Sequence, residues 1–281
     1  MSQYIFDLKT IRTEISFKSY EELRTILSFY QKNNLYKVNI PSKNYLKKDF
    51  LLNAIKISRE EFPKINIIPH FSILYEFRRN RLNTLKSLNK FLQVVIRYDC
   101  KEVLLVSGPK KRLTLDSAST LSYLKDKSFL LNRELSFGVA FNPYLNNLLF
   151  EEEIRKLEIK LQSGLVSSIW LQFGTDHILL ESRIEILEKI ILSSQKSSLS
   201  KSKINLFGSI LIPSKQFLAR FKYRPWKGVY CSSEFLDSVD LARNSVKKLI
   251  NIYSKNNILP IIETDVSSSD KINYLKMLLQ S

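Results

Sequence analysis

Short apolar runs alternate along this chain with longer segments whose apolar positions recur at helical spacing. The clearest instance lies between Ser136 and Gly174. Phe137, Val139 and Phe141 form an apolar run that ends at Asn142-Pro143. A helical segment follows, with Leu148, Leu149, Ile154, Leu157 and Leu161 on one face and Glu151, Glu152, Lys156 and Lys160 mostly on the other. Gly164 stands where a helix stop belongs, and a second apolar run, Ile169 to Phe173, closes at Gly174. The pattern predicts a β-α-β unit, because two parallel strands need a crossover of this length.

The same rhythm runs through the rest of the chain. Tyr4 to Leu8 and Ile11 to Phe17 both alternate, and one of them is the first strand. Ser19 can cap a helix from Tyr20 to Asn33. Tyr36–Ile40 is a strand ended by Pro41, and a helix from Lys47 to Glu61 is stopped by Pro63. The strand Ile65–Pro69 delivers His70 at its carboxyl end. Asn83–Tyr98 reads as a helix, Glu102–Val106 as a strand ending in Ser107-Gly108-Pro109, residues 110–113 as a loop, and Asp116–Lys127 as a helix. Beyond the central unit come a helix Ile178–Ser193, a serine-rich loop over 193–202, a strand Ile204–Ile212, a short helix Phe217–Phe221, a long helix Phe235–Lys255, a strand Ile258–Glu263 and a last helix Lys271–Leu279. About eight strands alternating with about eight helices, with short loops and no linker, predict one α/β domain over residues 1–281, a single (β/α)8 barrel. A doubly wound open sheet is the alternative.

Composition narrows the function. The chain has 281 residues, of which 44% are hydrophobic, enough for a large core. No apolar run is long enough for a membrane span. Met1 to Thr10 lacks a basic region followed by an apolar run, so no signal peptide is expected. Cys100 and Cys231 lie far apart without metal-ligand spacing and read as reduced thiols of a cytoplasmic protein. The net charge is +17. Its lysines are spread over most helices, with only short clusters such as Lys110-Lys111-Arg112 and Arg78-Arg79. That favours a solvated lysine-rich surface that attracts anionic ligands over a nucleic-acid binder. The glycines are too few and too scattered for a dinucleotide fingerprint or a P-loop. With His70 and His177 the only histidines, no metal site is expected.

In parallel α/β folds ligands bind where the strands end. Read there, Pro69-His70 after the third strand, Gly108 after the fourth, Val139-Ala140-Phe141-Asn142-Pro143 at the fifth and Ser209 to Pro213 with Phe217 at the seventh together resemble the methylenetetrahydrofolate reductase family, flavin-dependent TIM barrels of one-carbon and methionine metabolism. Pro69-His70 matches the family's Pro-His after its third strand. Val106-Ser107-Gly108-Pro109 stands where the family has LRGD, keeping the glycine but lacking the arginine and aspartate. Val139-Ala140-Phe141-Asn142-Pro143 matches VAxYP with Asn142 in place of the tyrosine. Ser209 to Pro213, followed by Phe217, is similar to GILPxxxF.

The resemblance implies that NAD(P)H reduces FAD, which in turn reduces 5,10-methylenetetrahydrofolate to the 5-methyl form. It places His70, Ser107, Gly108, Asn142 and Lys160 beside the flavin, Lys160 at its phosphates. Gln172 and Phe217 would meet the folate. The acid that helps open the folate's imidazolidine ring would be Asp7 or Glu14, at the end of strand one. With the flavin-contacting aspartate and tyrosine replaced, three outcomes are open: a reductase with rearranged contacts, a flavin-free folate binder or partner subunit, or a barrel used for something else. A homo-oligomer is compatible with any of them.

Overall fold

The computed structural model describes residues 5–42, 48–76, 80–108, 115–126, 135–197 and 203–280. Eight parallel strands close into a barrel in chain order. They are β1 (Arg12–Glu14), β2 (Lys37–Ile40), β3 (Asn66–Ser72), β4 (Glu102–Val106), β5 (Ser136–Phe141), β6 (Val166–Leu171), β7 (Asn205–Ile210) and β8 (Ile258–Ile262). β1 pairs with both β2 and β8, which closes the ring. The expected (β/α)8 barrel is the fold observed.

Helices return the chain between strands: α1 (Tyr20–Lys32), α2 (Lys48–Glu61), α3 (Ile73–Glu76), α4 (Arg81–Arg97), α5 (Ser117–Lys125), α6 (Asn147–Gln162), α7 (His177–Ser197), α8 (Lys215–Tyr223), α9 (Ser233–Asp237), α10 (Val239–Lys255) and α11 (Ser269–Leu278). Their starts are written locally. Ser19 caps α1 and Asn80 caps α4 by accepting from backbone N–H groups of the first turn. Gly164 takes φ +72° just past the end of α6, where no β carbon is tolerated without strain.

Several boundaries differ from expectation. The first strand is only Arg12–Glu14, and Asp7 falls in the turn before it. Tyr4–Leu8 alternates, but Ile5 instead bonds the carbonyl of Leu279. β3 continues through His70 to Ser72. α7 continues through the first serines of the expected loop to Ser197. The long helix expected over 235–255 is two helices, because Ser238 adopts an extended backbone and caps α10. Residues 110–113 and 198–202, read as loops, lie outside the described residues.

Alternation along each strand divides the core in two. Outward residues such as Val38, Ile67, Val103, Val139, Ile169 and Ile210 pack under the helices in one large apolar cluster. Each such side chain contributes on the order of 2 kcal/mol on burial. Inward residues fill the barrel in levels. Ile68, Leu104, Trp170, Phe207 and Ile261 form a separate apolar plug at mid-height. Polar groups lie below and above it.

Candidate functional site

The level above the plug is the carboxyl end of the strands. Glu14 closes β1, and its carboxylate lies 3.9 Å from Nδ1 of His70 on β3. His70 is buried and stands edge-on to Trp170, with ring centroids 5.7 Å apart. Glu263 follows β8. Thr13 and Ile262 are in register, so Glu14 and Glu263 end neighbouring strands at the same level. Ser209 of β7 donates to Glu263. Gln172 follows β6, half-buried, with its backbone N–H donated to Phe141. Two carboxylates and an imidazole thus stand over an apolar floor at one end of the barrel, and Gln172 follows β6 at the same end.

Asp7 does not join this group. It precedes β1 at the opposite, amino-terminal end, is exposed, and accepts from the backbone of Lys9 at 2.9 Å. Of the two candidate acids, only Glu14 stands at the strand ends. Phe217 is half-buried near the start of α8, in an aromatic cluster with Phe221, Trp226 and Phe235. His177, expected at a solvated helix start, is half-buried and faces Ser245 at 3.5 Å; burial lowers its pKa. Cys100 and Cys231 are free thiols pushed up to about 12 by burial.

The remaining positions matched to flavin contacts are engaged in holding the fold. Ser107 Oγ accepts from Ser117 N at 2.8 Å and bonds Ser117 Oγ at 3.0 Å, which ties β4 to the start of α5. Gly108 has φ +85°, and a β carbon there would lie 2.5 Å from Leu74 Cβ. Asn142 Nδ2 donates to the carbonyl of Gly228 at 2.9 Å, and its Oδ1 accepts from Tyr144 N at 3.0 Å. Lys160 is buried outside the barrel wall, between α6 and β5, and donates to the carbonyl of Ala140 at 3.2 Å. Burial lowers its pKa, opposed by Glu153 and Asp116. A diphosphate needs donors that face it. Ser107, Asn142 and Lys160 instead bond groups of the protein itself, so among the described residues these matched positions do not fit FAD. Pro109 lies outside the described residues.

Below the plug lies a polar set that the sequence reading did not single out. Arg12 is buried; its Nε donates to Asn39 Oδ1 at 2.9 Å, and Nη1 and Nη2 donate to Asn66 Oδ1 at 3.1 and 3.0 Å. Burial lowers its pKa to about 10, opposed by the charge of Glu102. Glu102, at the start of β4, accepts from Ser168, which itself accepts from Trp170 Nε1 at 2.6 Å. Burial raises the Glu102 pKa, against the bonds from Ser168 and the charge of Arg12. A signal was present. A strand roofed by helices has an apolar outer face, so charges alternating within it, as Arg12 and Glu14 do, must point into the barrel. Glu263 and Ser209 are found by the same rule.

No family profile and no curated protein sequence matches the chain. Solved structures do. An uncharacterized protein from Clostridium thermocellum, which binds two copies of 5-methyl-5,6,7,8-tetrahydrofolic acid, superposes with a TM-score of 0.59 at 10% identity, covering 96% of this chain and 93% of its own. An aldo-keto reductase from Klebsiella pneumoniae in complex with NADPH gives 0.53 at 9% identity over 96% and 84%. Oxaloacetate acetylhydrolase gives 0.55 at 7% over 94% and 78%. At these identities the likeness defines the class: a (β/α)8 barrel.

Proposed function

We propose that the carboxyl-terminal mouth of this barrel binds a reduced folate, and binds it without flavin. The observation that carries this reading is the pairing of Glu14 and Glu263 at one level on neighbouring strands, with His70 against Glu14. A pterin ring presents a ring N–H beside an exocyclic amino group, two parallel donors that a carboxylate takes with its two oxygens. Gln172 supplies a donor and an acceptor for the rest of the edge, and Phe217 an apolar wall for the benzoyl group. The folate-binding neighbour of the same fold supports the ligand class.

Trp170 packs edge-on against His70, so a ligand at the mouth is expected to change its fluorescence. Titration of the pure protein with 5-methyltetrahydrofolate is expected to change that fluorescence saturably. Glu14→Gln removes one charge-assisted pair and is expected to weaken binding about tenfold or more. A wild-type protein that does not respond overturns the reading.

A second reading, a methylenetetrahydrofolate reductase with rearranged flavin contacts, is favoured by Glu14 and His70 standing together at the strand ends. In it, Glu14 is the residue placed to give a proton. The visible spectrum after adding FAD separates the two. Colourless protein after desalting supports the flavin-free binder, whereas flavin bands that bleach with NAD(P)H and recover with methylenetetrahydrofolate support the reductase.

A further inference from the structure

The chain leaves β7 through α8 and crosses the rim of the mouth before entering α9. This strap is fastened at its far side. Asn142 Nδ2 holds the carbonyl of Gly228 at 2.9 Å. Tyr230 bridges to Gly174, and its carbonyl accepts from Thr175 N at 3.1 Å. Ser232 N donates to Thr175 Oγ1 at 2.8 Å. Between these fastenings and β7 the strap exposes an unusual set of side chains. Tyr223 is 92% exposed, Tyr230 47% and Trp226 46%. Lys215, Arg220, Lys222, Arg224 and Lys227 are exposed around them, and no Asp or Glu occurs from Leu211 to Ser233. The rings are not loose. Trp226 stands edge-on to Phe217 and Phe221, at centroid distances of 5.5 and 6.1 Å.

We propose that this strap binds single-stranded nucleic acid. Its exposed tip reads Lys222-Tyr223-Arg224-Pro225-Trp226-Lys227, in which cations and flat rings alternate. Single-stranded RNA or DNA offers the complementary alternation of phosphates and stackable bases, and proteins that bind it without sequence preference pair cations with aromatic platforms. The net charge of +17 adds long-range attraction for any polyanion. A membrane-surface segment also combines Lys and Arg with Trp and Tyr, but it needs a broad outward apolar face to bury, and here Leu218 and Phe221 turn inward. The acid-free run from Leu211 to Ser233 is visible in the sequence, but only the fold shows that its rings and cations are exposed together.

The test is fluorescence anisotropy of the full chain with a labelled oligouridylate of about twenty nucleotides. Binding is expected at low salt. It should weaken roughly a hundredfold over a fourfold rise in salt if the cations named above each meet a phosphate. Tyr223→Ala is expected to weaken it about tenfold, the loss of one stacked base. Lys222→Glu combined with Arg224→Glu is expected to abolish it at physiological salt. Lys189→Glu with Lys196→Glu on α7 makes the same charge change away from the strap and should leave most of the affinity. Circular dichroism checks that each variant is folded. The proposal is overturned if low salt gives no binding, if the α7 variant loses as much as the strap variant, or if Tyr223→Ala changes nothing. It is also overturned if the protein sediments with anionic phospholipid vesicles while ignoring the oligonucleotide.

Discussion

A β carbon built on Gly208 would lie 2.2 Å from the ring of Tyr253. That ring belongs to α10 and is fully buried, and its hydroxyl donates to the carbonyl of Ser209 at 3.1 Å. The glycine is therefore a packing requirement, set by a tyrosine that lies flat on β7 and is fixed there by its hydrogen bond. Gly208→Ala is expected to cost about 1–3 kcal/mol by overpacking, read as a lower urea midpoint with an unchanged slope. Ser209 is the next residue and holds Glu263, so the same variant should also weaken folate binding if the mouth is the site. Lys160 makes the complementary point. Its helical position is readable in the sequence, but nothing in a lysine-rich chain distinguishes the one that donates to a strand carbonyl from its solvated neighbours. That distinction depends on how closely α6 approaches β5.

At the scale of elements, α5 carries its own start signal. Asp116 accepts from Ser119 N at 2.8 Å, and Ser119 Oγ returns a bond from Asp116 N at 3.0 Å, a reciprocal box. Burial raises the Asp116 pKa, but the bonds from Ser119 outweigh it and the net shift is downward. A folded pKa below the unfolded value stabilises the protein above the ordinary carboxylate value of 3.8, and that contribution is lost as pH falls through the folded value. Asp116→Ala is expected to cost about 1 kcal/mol at neutral pH and less at lower pH, measured by thermal unfolding across a pH series. Caps of this kind are legible in sequence. Ser19 is one, and Ser238 carries a similar signal, a serine followed by Asp240 in the first turn. The amphipathic face runs across that break, so periodicity alone joins two helices into one. β1 shows the opposite failure. Tyr4–Leu8 and Ile11–Phe17 alternate equally well, and the observed strand, Arg12–Glu14, lies within the second; periodicity alone does not choose between them.

The barrel as a whole is braced from inside by the set below the plug. Arg12 joins β1 to β2 and β3 through Asn39 and Asn66, and its charge faces Glu102 of β4, which Ser168 ties to β6. The alternation of strands and helices made the barrel legible, because outer faces must be apolar to pack under helices. The inner network is legible only once the barrel is inferred, because charges at strand ends look like solvated loop residues until apolar outer faces force them inside. Closure also makes the network consequential for stability. Arg12→Met leaves Glu102 buried without the nearby positive charge and leaves the Asn39 and Asn66 acceptors without their donor, and a buried acceptor left unsatisfied costs about 1–3 kcal/mol. The Glu102 pKa is already raised by burial, and losing Arg12 raises it further. An acid whose folded pKa exceeds its unfolded value binds protons more tightly when folded, so stability falls as pH rises from the ordinary value of 4.5 to the folded value. The deficit of Arg12→Met is therefore expected to be smallest below pH 4.5 and to grow toward neutrality; the Asp116→Ala deficit grows in the same direction but over a lower window, below 3.8. Adding Glu102→Gln should recover much of the loss at neutral pH, because the uncompensated charge is gone. Urea unfolding of the two single variants and the double variant measures this coupling. Additive losses with no dependence on pH would mean that Arg12 acts through its bonds to Asn39 and Asn66 alone.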